Sequence, residues 1–404
     1  GTSVTDVADA MLNLTASSAT KDLIVTATSG WDIIAAGQGN DSYTLGLGND
    51  TITFPAGKIS NLDTISGGDG TDTVEVDSTT AVTDVNFINM TSVENLTVVT
   101  DTTAAVTLST YASAAGITKV TVVAGNGNDV VNAAGMTTGV NIVGSTATTG
   151  NDTLTGGLGD DTFTFSTTAG LEAADTLDGG AGTDTVSMSN TVNGGFTAAL
   201  VIVDDVAAGG KIVKVEKFVV LNANGGDTVG AEDADPVSLS FGNTAAAAAL
   251  STIVDGSVMT DTLDILTVNA SAVADANFYT TFDITGGAAA DVLSGGNGAD
   301  TISGGGGADA IDAGVGADTL TGGSGADQYT LVLGDSTSAK TDTITDFAAA
   351  SDKLNITVSG NINFDLRDKG DVVDNAAGAA LLSNSSTAGE YFFNTTTNAF
   401  VQDT

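Results

Sequence analysis

Short stretches of alternating apolar and polar residues recur along the whole chain. Residues 93–99 read Val-Glu-Asn-Leu-Thr-Val-Val, and residues 211–220 alternate in the same way. This alternation is typical of β-strands with one buried face, because successive side chains of a strand point to opposite sides. Residues 93–96 and 215–218 also look like copies of one unit. The pattern predicts a chain made mostly of short strands.

Helical signals are few and short. One short helix is predicted over residues 4–14, and a second over residues 245–253, where a run of alanines favours helix. We expect both to be local packing elements. No apolar run approaches the roughly 18 residues that a membrane-spanning helix needs, so membrane insertion is not expected.

Glycine–aspartate turns repeat every nine residues between the predicted strands. Over residues 286–330 the aspartates are spaced by nine, glycines precede each one, and an apolar residue such as Ile302 or Leu320 follows two positions later. The same grid recurs in a looser form over residues 28–190. A fixed nine-residue period indicates a repeat architecture rather than a compositional bias.

Each repeat unit combines a tight turn with a very short strand. Glycines permit positive φ and close backbone approach, so the first six residues form the turn. The next three form a strand whose central apolar residue points inward. One unit cannot bury that residue alone, whereas stacked units share a continuous core. The predicted fold is therefore all-β: a parallel β-roll, or β-solenoid, with intervening β modules and few short helices.

The charge of the chain points to bound cations. The sequence has 10 Lys+Arg against 50 Asp+Glu, a formal net charge of -40. Stacked turns would align aspartates, and two carboxylates about 4 Å apart repel by roughly 4 kcal/mol at an effective dielectric near 20. We therefore expect several divalent cations between the coils. Carboxylate and carbonyl oxygens, without imidazole or thiolate, favour Ca²⁺ over Zn²⁺ and suit calcium better than magnesium.

The tight repeats resemble a known family. Residues 286–330 resemble the RTX (repeats-in-toxin) nonapeptide, Gly-Gly-x-Gly-x-Asp-x-apolar-x, with departures at Ala289 and Ala313. This resemblance implies a calcium-filled parallel β-roll that is exported by type I secretion. Residues 341–354 are similar to the segment that caps such rolls in secreted proteases of the serralysin type. Residues 389–403 are similar to the ends of type I secreted proteins, and the last part of that signal is expected to lie beyond the C-terminus.

The candidate calcium ligands are the aspartates of the grid, the glycines before them and two aspartates of the cap. They are Gly37, Gly39, Asp41, Gly46, Gly48, Asp50, Gly68, Gly70, Asp72, Gly125, Gly127, Asp129, Asp152, Gly157, Gly159, Asp161, Gly180, Gly182, Asp184, Asp291, Gly296, Gly298, Asp300, Gly305, Gly307, Asp309, Gly314, Gly316, Asp318, Gly323, Gly325, Asp327, Asp342 and Asp346. Asp32, Asp63 and Asp175 lie on the same grid. At the looser repeats the alternative is an aspartate that only shapes a turn, and for the tight repeats it is a glycine-rich flexible linker.

The repeats divide the chain into four predicted segments. Residues 1–190 are expected to form a β-solenoid module with degenerate calcium turns, and residues 191–285 a β-rich connecting module. Residues 286–335 are expected to form the calcium β-roll, and residues 336–404 its C-terminal cap and the start of the secretion-signal region. The order of turn repeat and strand region is the same in both halves.

Residue types exclude several classes of chemistry. The chain has no histidine and no cysteine, so a His-Glu-x-x-His zinc site, a Ser-His-Asp triad and disulfides cannot form. A carboxylate pair could in principle cleave glycosides, but no aromatic cleft sets one pair apart, and Trp31 is the only tryptophan. Nucleic acid is not an expected partner, because there is no basic patch to neutralise phosphates. We predict that the chain is not an enzyme.

The whole pattern resembles the surface-layer (S-layer) proteins of Gram-negative bacteria, because RTX repeats alternate with long Thr/Ala/Val/Gly-rich β regions without cysteine. That resemblance implies a calcium-binding, self-assembling structural protein of the bacterial cell surface. Its expected partners are further copies of itself in a lattice, and cell-surface polysaccharide through a region outside this chain. Two alternatives stay open: the RTX module of a large secreted adhesin, and the module of a type I secreted enzyme whose catalytic domain lies outside this chain.

Overall fold

A computed structural model describes residues 2–5, 11–77, 81–100, 103–124, 127–144, 150–165, 171, 175–189, 196–203, 212–221, 237–242, 251–272, 281–332, 342–348, 350–357, 391–394 and 399–402. The chain divides into two compact units, Gly1–Ser187 and Met188–Thr404. Both are made almost entirely of short parallel strands that follow the alternating pattern of the sequence. Each unit is described by itself.

The first unit winds as a coil with two strands per turn. Its strands are β1 (Thr2–Thr5), β2 (Asn13–Thr15), β3 (Leu23–Thr26), β4 (Ile33–Ala35), β5 (Ser42–Leu47), β6 (Thr51–Phe54), β7 (Thr64–Asp69), β8 (Thr73–Asp77), β9 (Met90–Thr91), β10 (Asn95–Thr100), β11 (Ala105–Thr107), β12 (Lys119–Ala124), β13 (Val130–Asn132), β14 (Asn141–Val143), β15 (Thr153–Thr155), β16 (Thr162–Phe165), β17 (Thr176–Asp178) and β18 (Thr185–Ser189). The even-numbered strands from β2 to β18 lie side by side in one sheet. The odd-numbered strands form two sheets, β1 to β9 and β11 to β17.

Inward-pointing side chains stack in register from coil to coil. In the even-numbered sheet, Ile34 pairs with Ile52, Ile52 with Val74, and Val74 with Leu96. Leu96 in turn pairs with Val120, and all five side chains are buried. Each coil contributes only a few inward residues, so the core exists only because neighbouring coils share it.

Two helical segments occupy the middle of the first unit. A 3-10 helix spans Asp84–Phe87, and helix α1 spans Thr110–Ala115. The Asp84 carboxylate accepts hydrogen bonds from the backbone N–H of Ser109 at 2.7 Å and of Ala112 at 2.9 Å. A side chain of the preceding coil therefore satisfies amides at the start of α1, as a capping residue does. The sequence pattern did not predict either segment.

The second unit has the same two-strand coil. Its strands are β19 (Phe196–Val203), β20 (Ile212–Val213), β21 (Lys217–Leu221), β22 (Val237–Gly242), β23 (Ser251–Asp255), β24 (Leu266–Ala272), β25 (Thr281–Thr285), β26 (Val292–Ser294), β27 (Thr301–Gly306), β28 (Ala310–Asp312), β29 (Thr319–Ser324), β30 (Gln328–Val332), β31 (Thr343–Ile344), β32 (Lys353–Thr357), β33 (Tyr391–Asn394) and β34 (Ala399–Gln402). One sheet runs in the order β21-β23-β25-β27-β29-β31 and another in the order β19-β22-β24-β26-β28-β30-β32. Strands β33 and β34 form an antiparallel pair.

The tight repeats form the most regular part of the second unit. Ile302 pairs with Leu320 in one sheet, and Leu293 with Ile311 and Ile311 with Tyr329 in the other. One full coil therefore takes two nonapeptides. The all-β parallel roll predicted from the sequence is confirmed. In the part of the chain that the structure describes, no helix has the length and apolar character needed to cross a membrane.

Both predicted helices are wrong where they can be compared. Within the first predicted helix, residues 4–5 belong to strand β1 and residues 13–14 to strand β2, and residues 6–10 lie outside the described residues. Residues 251–255 form strand β23, whereas 245–250 lie outside the described residues. Pairing of β2 with β4 and of β23 with β25 gives these segments backbone partners, and β23 also has buried residues. Tertiary pairing therefore overrides a weak local helix propensity.

Candidate metal centre

The aspartates of the nine-residue grid all occupy the position directly before a strand. All of them are buried, with at most 8% of the residue exposed. They are Asp32, Asp41, Asp50, Asp63, Asp72, Asp129, Asp152, Asp161, Asp175, Asp184, Asp291, Asp300, Asp309, Asp318, Asp327 and Asp342. Burying a carboxylate is costly unless its oxygens find partners, so the partners of each oxygen decide what the turns can bind.

One carboxylate oxygen of each aspartate binds the backbone of the preceding coil. In the first unit, the Asp32 N–H donates to Asp50 Oδ1 at 2.7 Å, and the Asp50 N–H donates to Asp72 Oδ1 at 2.9 Å. Because this link repeats from coil to coil, the aspartates form a ladder. The same ladder geometry joins further pairs of the first unit: Asp41 with Asp63, Asp129 with Asp152, Asp152 with Asp175, and Asp161 with Asp184.

The second unit contains two ladders with an 18-residue step. The Asp291 N–H donates to Asp309 Oδ1 at 2.8 Å, and the Asp309 N–H donates to Asp327 Oδ1 at 3.0 Å. Ahead of the other sheet, the Asp300 N–H donates to Asp318 Oδ1 at 2.8 Å. The ladder ends with Asp342, whose Oδ1 accepts from the Asp318 N–H at 3.1 Å. One ladder therefore runs along each edge of the roll.

Within the described part of the chain, the second carboxylate oxygen is buried without a hydrogen-bond partner in several coils. This holds for Oδ2 of Asp32, Asp50, Asp72, Asp129, Asp309 and Asp318. A buried anionic oxygen without a donor carries an uncompensated desolvation cost. These six oxygens are therefore the places where the protein itself does not supply the positive partner that the carboxylate needs.

In other coils a glycine amide of the same turn reaches the second oxygen. The Gly287 N–H donates to Asp291 Oδ2 at 2.7 Å, and the Gly296 N–H donates to Asp300 Oδ2 at 2.9 Å. The carboxylate therefore folds back over its own glycine turn. This explains why the acidic residue stands at a fixed distance after the glycines in the sequence.

The first glycine of each turn brings a carbonyl oxygen of the next coil toward the carboxylate. A Cβ built at Gly304 would lie 2.2 Å from Asp309 Oδ2 and 2.6 Å from the Gly322 carbonyl oxygen. At Gly295 the same construction meets Asp300 Oδ2 at 2.5 Å and the Ala313 carbonyl oxygen at 2.4 Å. No residue with a side chain fits there, and oxygens of two successive coils lie against the same glycine.

The predicted glycines at the second and fourth positions of many turns have the backbone conformation that requires glycine. In the tight repeats φ is 94° at Gly305, 109° at Gly307, 93° at Gly323 and 149° at Gly325. These values lie in the left-handed region, which L-residues rarely adopt. Gly125 of the predicted set lies outside the described residues.

Burial changes the acidity of the ladder carboxylates. Desolvation raises the pKa of Asp309 to about 7 and that of Asp300 to about 6, from an ordinary value of 3.8. The same cause raises the pKa of Asp72 and of Asp129 to about 6. At neutral pH an ionised ladder is therefore costly by itself, and a bound cation would offset that cost.

The physical reason for a cation differs from the one inferred from the sequence. Mutual repulsion between stacked carboxylates was expected to dominate, but burial is the largest cause of the raised pKa of Asp309, and the charges of Asp291 and Asp327 add less. The ladder hydrogen bonds explain this, because a backbone N–H stands between each carboxylate and the next. The need for positive charge comes mainly from lost hydration.

The donor set fits calcium. Among the residues that the structure describes, no three acidic side chains converge on one point. The ligands in each turn would therefore be one carboxylate together with backbone carbonyl oxygens, rather than a cluster of acids. A neutral and anionic oxygen set without nitrogen or sulfur suits a hard cation with flexible geometry, which describes Ca²⁺.

Two ladder members were missed by the sequence pattern. Glu94 Oε2 accepts from the Asp72 N–H at 2.8 Å, and Asp352 Oδ1 accepts from the Asp327 N–H at 3.1 Å. Both stand one coil after a predicted aspartate, but the coils there have 22 and 25 residues rather than 18. The signal was therefore present as a coil-length spacing and not as a nine-residue grid.

Asp346 of the predicted set does not belong to a ladder. Its Oδ1 accepts from the Gly322 N–H at 2.9 Å, and its Oδ2 accepts from the Gly323 N–H at 2.7 Å. It therefore closes the last glycine turn of the roll with its own charge. The neighbouring cap residue, Asp342, is the one that continues a ladder.

Comparison with known protein families identifies the repeat. The model of the RTX calcium-binding nonapeptide repeat (4 copies) matches residues 24–52, 62–78, 146–166, 169–187, 285–320, 295–329 and 303–337. A comparison with curated protein sequences gave no match. The matched segments hold most of the aspartates of the ladders in both units. Calcium binding by these turns is thus supported by the repeat family and by the oxygen geometry together.

Proposed function

Because the chain is an RTX-repeat protein, we propose that it is a secreted, non-catalytic structural protein whose rolls fold when calcium becomes available. The observation that carries this proposal is the row of buried carboxylate oxygens without donors, among them Oδ2 of Asp309 and Asp318. An apolar core alone would not need these charges. Their retention in coil after coil makes folding depend on a supplied cation.

The low calcium level of a cytosol would leave the ladders without that cation. Extracellular calcium modules bind with dissociation constants of roughly 10⁻⁴–10⁻³ M, far above cytosolic calcium. Asp72, Asp129, Asp300 and Asp309 would then carry charge in a dry environment or take up protons, and the coils would open. Outside the cell, binding to the folded form adds stability by mass action. This behaviour suits a chain that crosses a narrow exporter unfolded and folds at the cell surface.

Circular dichroism with calcium and with a chelator tests the proposal. We expect a strong β signal in calcium and a clear loss of that signal after chelation, with recovery when calcium is restored. Magnesium at the same concentration serves as the control and should restore little, because it prefers a rigid octahedral site with retained water. An unchanged strand signal in chelator would refute calcium-dependent folding.

The finer role that we propose is lattice formation in a bacterial surface layer. Two features support it: ladders occur in both units rather than in one terminal module, and the chain has neither histidine nor cysteine for the common catalytic sites. The lattice partner would be a second copy of this chain. Light scattering and electron microscopy of calcium-loaded protein should show ordered assemblies, and a sample that stays monomeric at high concentration would exclude the lattice.

The stalk of a large adhesin is the second candidate function. Stacked coils that contact only their neighbours are quasi-one-dimensional, and the ladders tie each coil to the next by side-chain hydrogen bonds. Such a stalk would stay monomeric in calcium and resist proteolysis only while calcium is bound. The scattering experiment therefore separates the two roles.

A further inference from the structure

One predicted calcium turn differs from the others because a tyrosine hydroxyl enters it. The apolar position two residues after Asp41 is Tyr43, which is buried, with 1% of its surface exposed. Its hydroxyl donates to Asp41 Oδ2 at 2.9 Å and accepts from the Gly37 N–H at 3.0 Å. Asp41 Oδ1 accepts the ladder hydrogen bond from the Leu23 N–H at 2.8 Å. Both oxygens of this carboxylate therefore have donors within the protein.

The turn that ends at Asp161 shows what the hydroxyl changes. There the aromatic residue at the same position is Phe163, also fully buried, and the Gly157 N–H donates directly to Asp161 Oδ2. In the Asp41 turn the equivalent amide, that of Gly37, donates to the phenol instead. The tyrosine hydroxyl is thus inserted between the glycine amide and the carboxylate.

The inserted hydroxyl supplies the donor that six other ladder carboxylates lack. It directs a hydrogen-bond donor at the second carboxylate oxygen. In the neighbouring grid turns, those of Asp32 and Asp50, this oxygen has no donor. The ring is fixed by the core, where it packs edge-on against Phe54 with ring centroids 6.2 Å apart. A phenol holds its proton at neutral pH, so the hydroxyl acts as the donor to Asp41 Oδ2.

We propose that the Tyr43 hydroxyl takes the place of a calcium ion in the turn that ends at Asp41, which therefore folds without metal. This inference rests on calcium binding by the other turns. It reassigns Gly37, Gly39 and Asp41 from ligands to a metal-free turn within the first unit. One side chain in the core thus decides whether its turn uses a proton donor or a cation.

The last tight repeat also has a tyrosine at this position, but its hydroxyl has a different acceptor. Tyr329 stands two residues after Asp327, and its hydroxyl donates to Asp346 Oδ1 at 3.2 Å. A Cβ built at Gly322 would lie 2.4 Å from this hydroxyl oxygen and 2.3 Å from Asp327 Oδ2. Because the acceptor is the cap aspartate and not the ladder aspartate of the same turn, the assignment made for Tyr43 does not extend to this turn.

Native mass spectrometry of the full chain in calcium tests the proposal, because it resolves whole numbers of bound ions. Tyr43→Phe should bind one more calcium ion than the wild type, because the hydroxyl inserted between the Gly37 amide and Asp41 is removed and the turn becomes like that of Asp161. The Asp161 turn shows that phenylalanine fits this position. Tyr111→Phe, a change on the exposed side of α1, is the control and should leave the count unchanged.

A second pair of variants keeps the test decisive if Tyr43→Phe folds poorly. Asparagine retains an Oδ1 acceptor for the ladder hydrogen bond, so each change replaces only the second, charged oxygen by a neutral amide nitrogen. Asp41→Asn should leave the number of bound ions unchanged, whereas Asp50→Asn should lower it. A constant or smaller count in Tyr43→Phe, or a loss in Asp41→Asn equal to that in Asp50→Asn, would overturn the proposal. A wild type that binds no calcium would instead contradict the proposed function.

Discussion

The tight repeats of the second unit and the middle of the first unit close the same coil by different means. Around residues 291–327 each coil has buried aspartates on both edges, linked by ladder hydrogen bonds. Around residues 93–122 the position before the strand holds Glu94 and, one coil later, Thr118. The next aspartate at this position is Asp161. There α1, its Asp84 cap and apolar side chains complete the coil.

The difference separates two sources of stability in one architecture. The middle of the first unit buries Leu96, Val98, Val120 and Val122 beside the 3-10 helix and α1, so its coils depend on apolar contacts and a cap. The tight repeats bury few large side chains per coil and many carboxylates. We infer that the first kind of coil needs no cation, whereas the second kind does.

Chelation of calcium should produce the largest difference between the two regions. In hydrogen exchange measured by mass spectrometry, peptides from residues 301–332 should lose protection when calcium is removed, by at least a factor of about ten. Peptides from residues 93–122 should keep most of theirs, because no described residue in that range is a buried acid. Equal loss in both regions would show that the first unit has no calcium-independent segment.

Proton concentration should have the next largest effect in chelator. Burial raises the pKa of Asp309 to about 7 and that of Asp300 to about 6, whereas the ordinary value is 3.8. A group with a raised pKa in the folded state stabilises that state below its ordinary pKa, and this contribution is lost as the pH rises through the folded value. Without calcium, the tight repeats should therefore be more stable at pH 5 than at pH 8.

Calcium should reverse this pH dependence, because ligand carboxylates must be deprotonated to bind the ion. Urea unfolding followed by circular dichroism, at pH 5 and pH 8 with and without chelator, measures both slopes. Residues 93–122, followed by hydrogen exchange, provide the internal control. The same slope in both conditions would mean that the ladder carboxylates do not bind the ion.

Core substitutions sharpen the comparison at one repeat position. Leu96 and Leu320 are both buried and both stand two residues after a ladder position. Truncation of a buried leucine to alanine costs about 2–5 kcal/mol. Leu96→Ala should lower stability by a similar amount with and without calcium, whereas Leu320→Ala should leave its region folded in calcium but unfolded in chelator, because the tight repeats have little stability to lose without the ion. Urea denaturation with regional hydrogen exchange would detect the difference.

The sequence predicted the parts of the fold that repeat. The nine-residue grid located the buried aspartates. Residues 93–96 and 215–218, interpreted as copies of one unit, are each preceded by a residue with positive φ, because Ser92 and Lys214 both have a φ of 53°. Those features are local, so a single repeat unit encodes them. The strand alternation likewise identified the inward rows, because it depends only on the period of two.

Features that depend on contacts between coils were not predictable in this way. Helix α1 has only six residues, and its start is fixed by Asp84 from an earlier coil. Glu94 joins a ladder only because its coil has 22 residues. The role of the Tyr43 hydroxyl was hidden because the pattern treats its position as apolar, and only the folded turn brings it to Asp41.

Removal of a single charge in the tight repeats should have the smallest effect on stability, but it gives the most specific test of ion binding. In Asp309→Asn the Oδ1 acceptor for the Asp291 N–H is retained, so the change removes the charge of a buried oxygen that has no donor. In calcium this should lower stability by about 1–3 kcal/mol, because a charged ligand is lost. In chelator it should raise stability by about 1 kcal/mol, because a buried uncompensated carboxylate is removed.

Asp283→Asn is the matched control, because this aspartate lies on the exposed outer face of β25 in the same unit. It should change stability by less than about 0.5 kcal/mol in either condition. Urea midpoints of the two variants, each with calcium and with chelator, give four comparisons. If Asp309→Asn shifts stability in the same direction in both, the buried carboxylate acts as an ordinary turn residue. In that case the tight repeats would fold on their own contacts, as the middle of the first unit is expected to do.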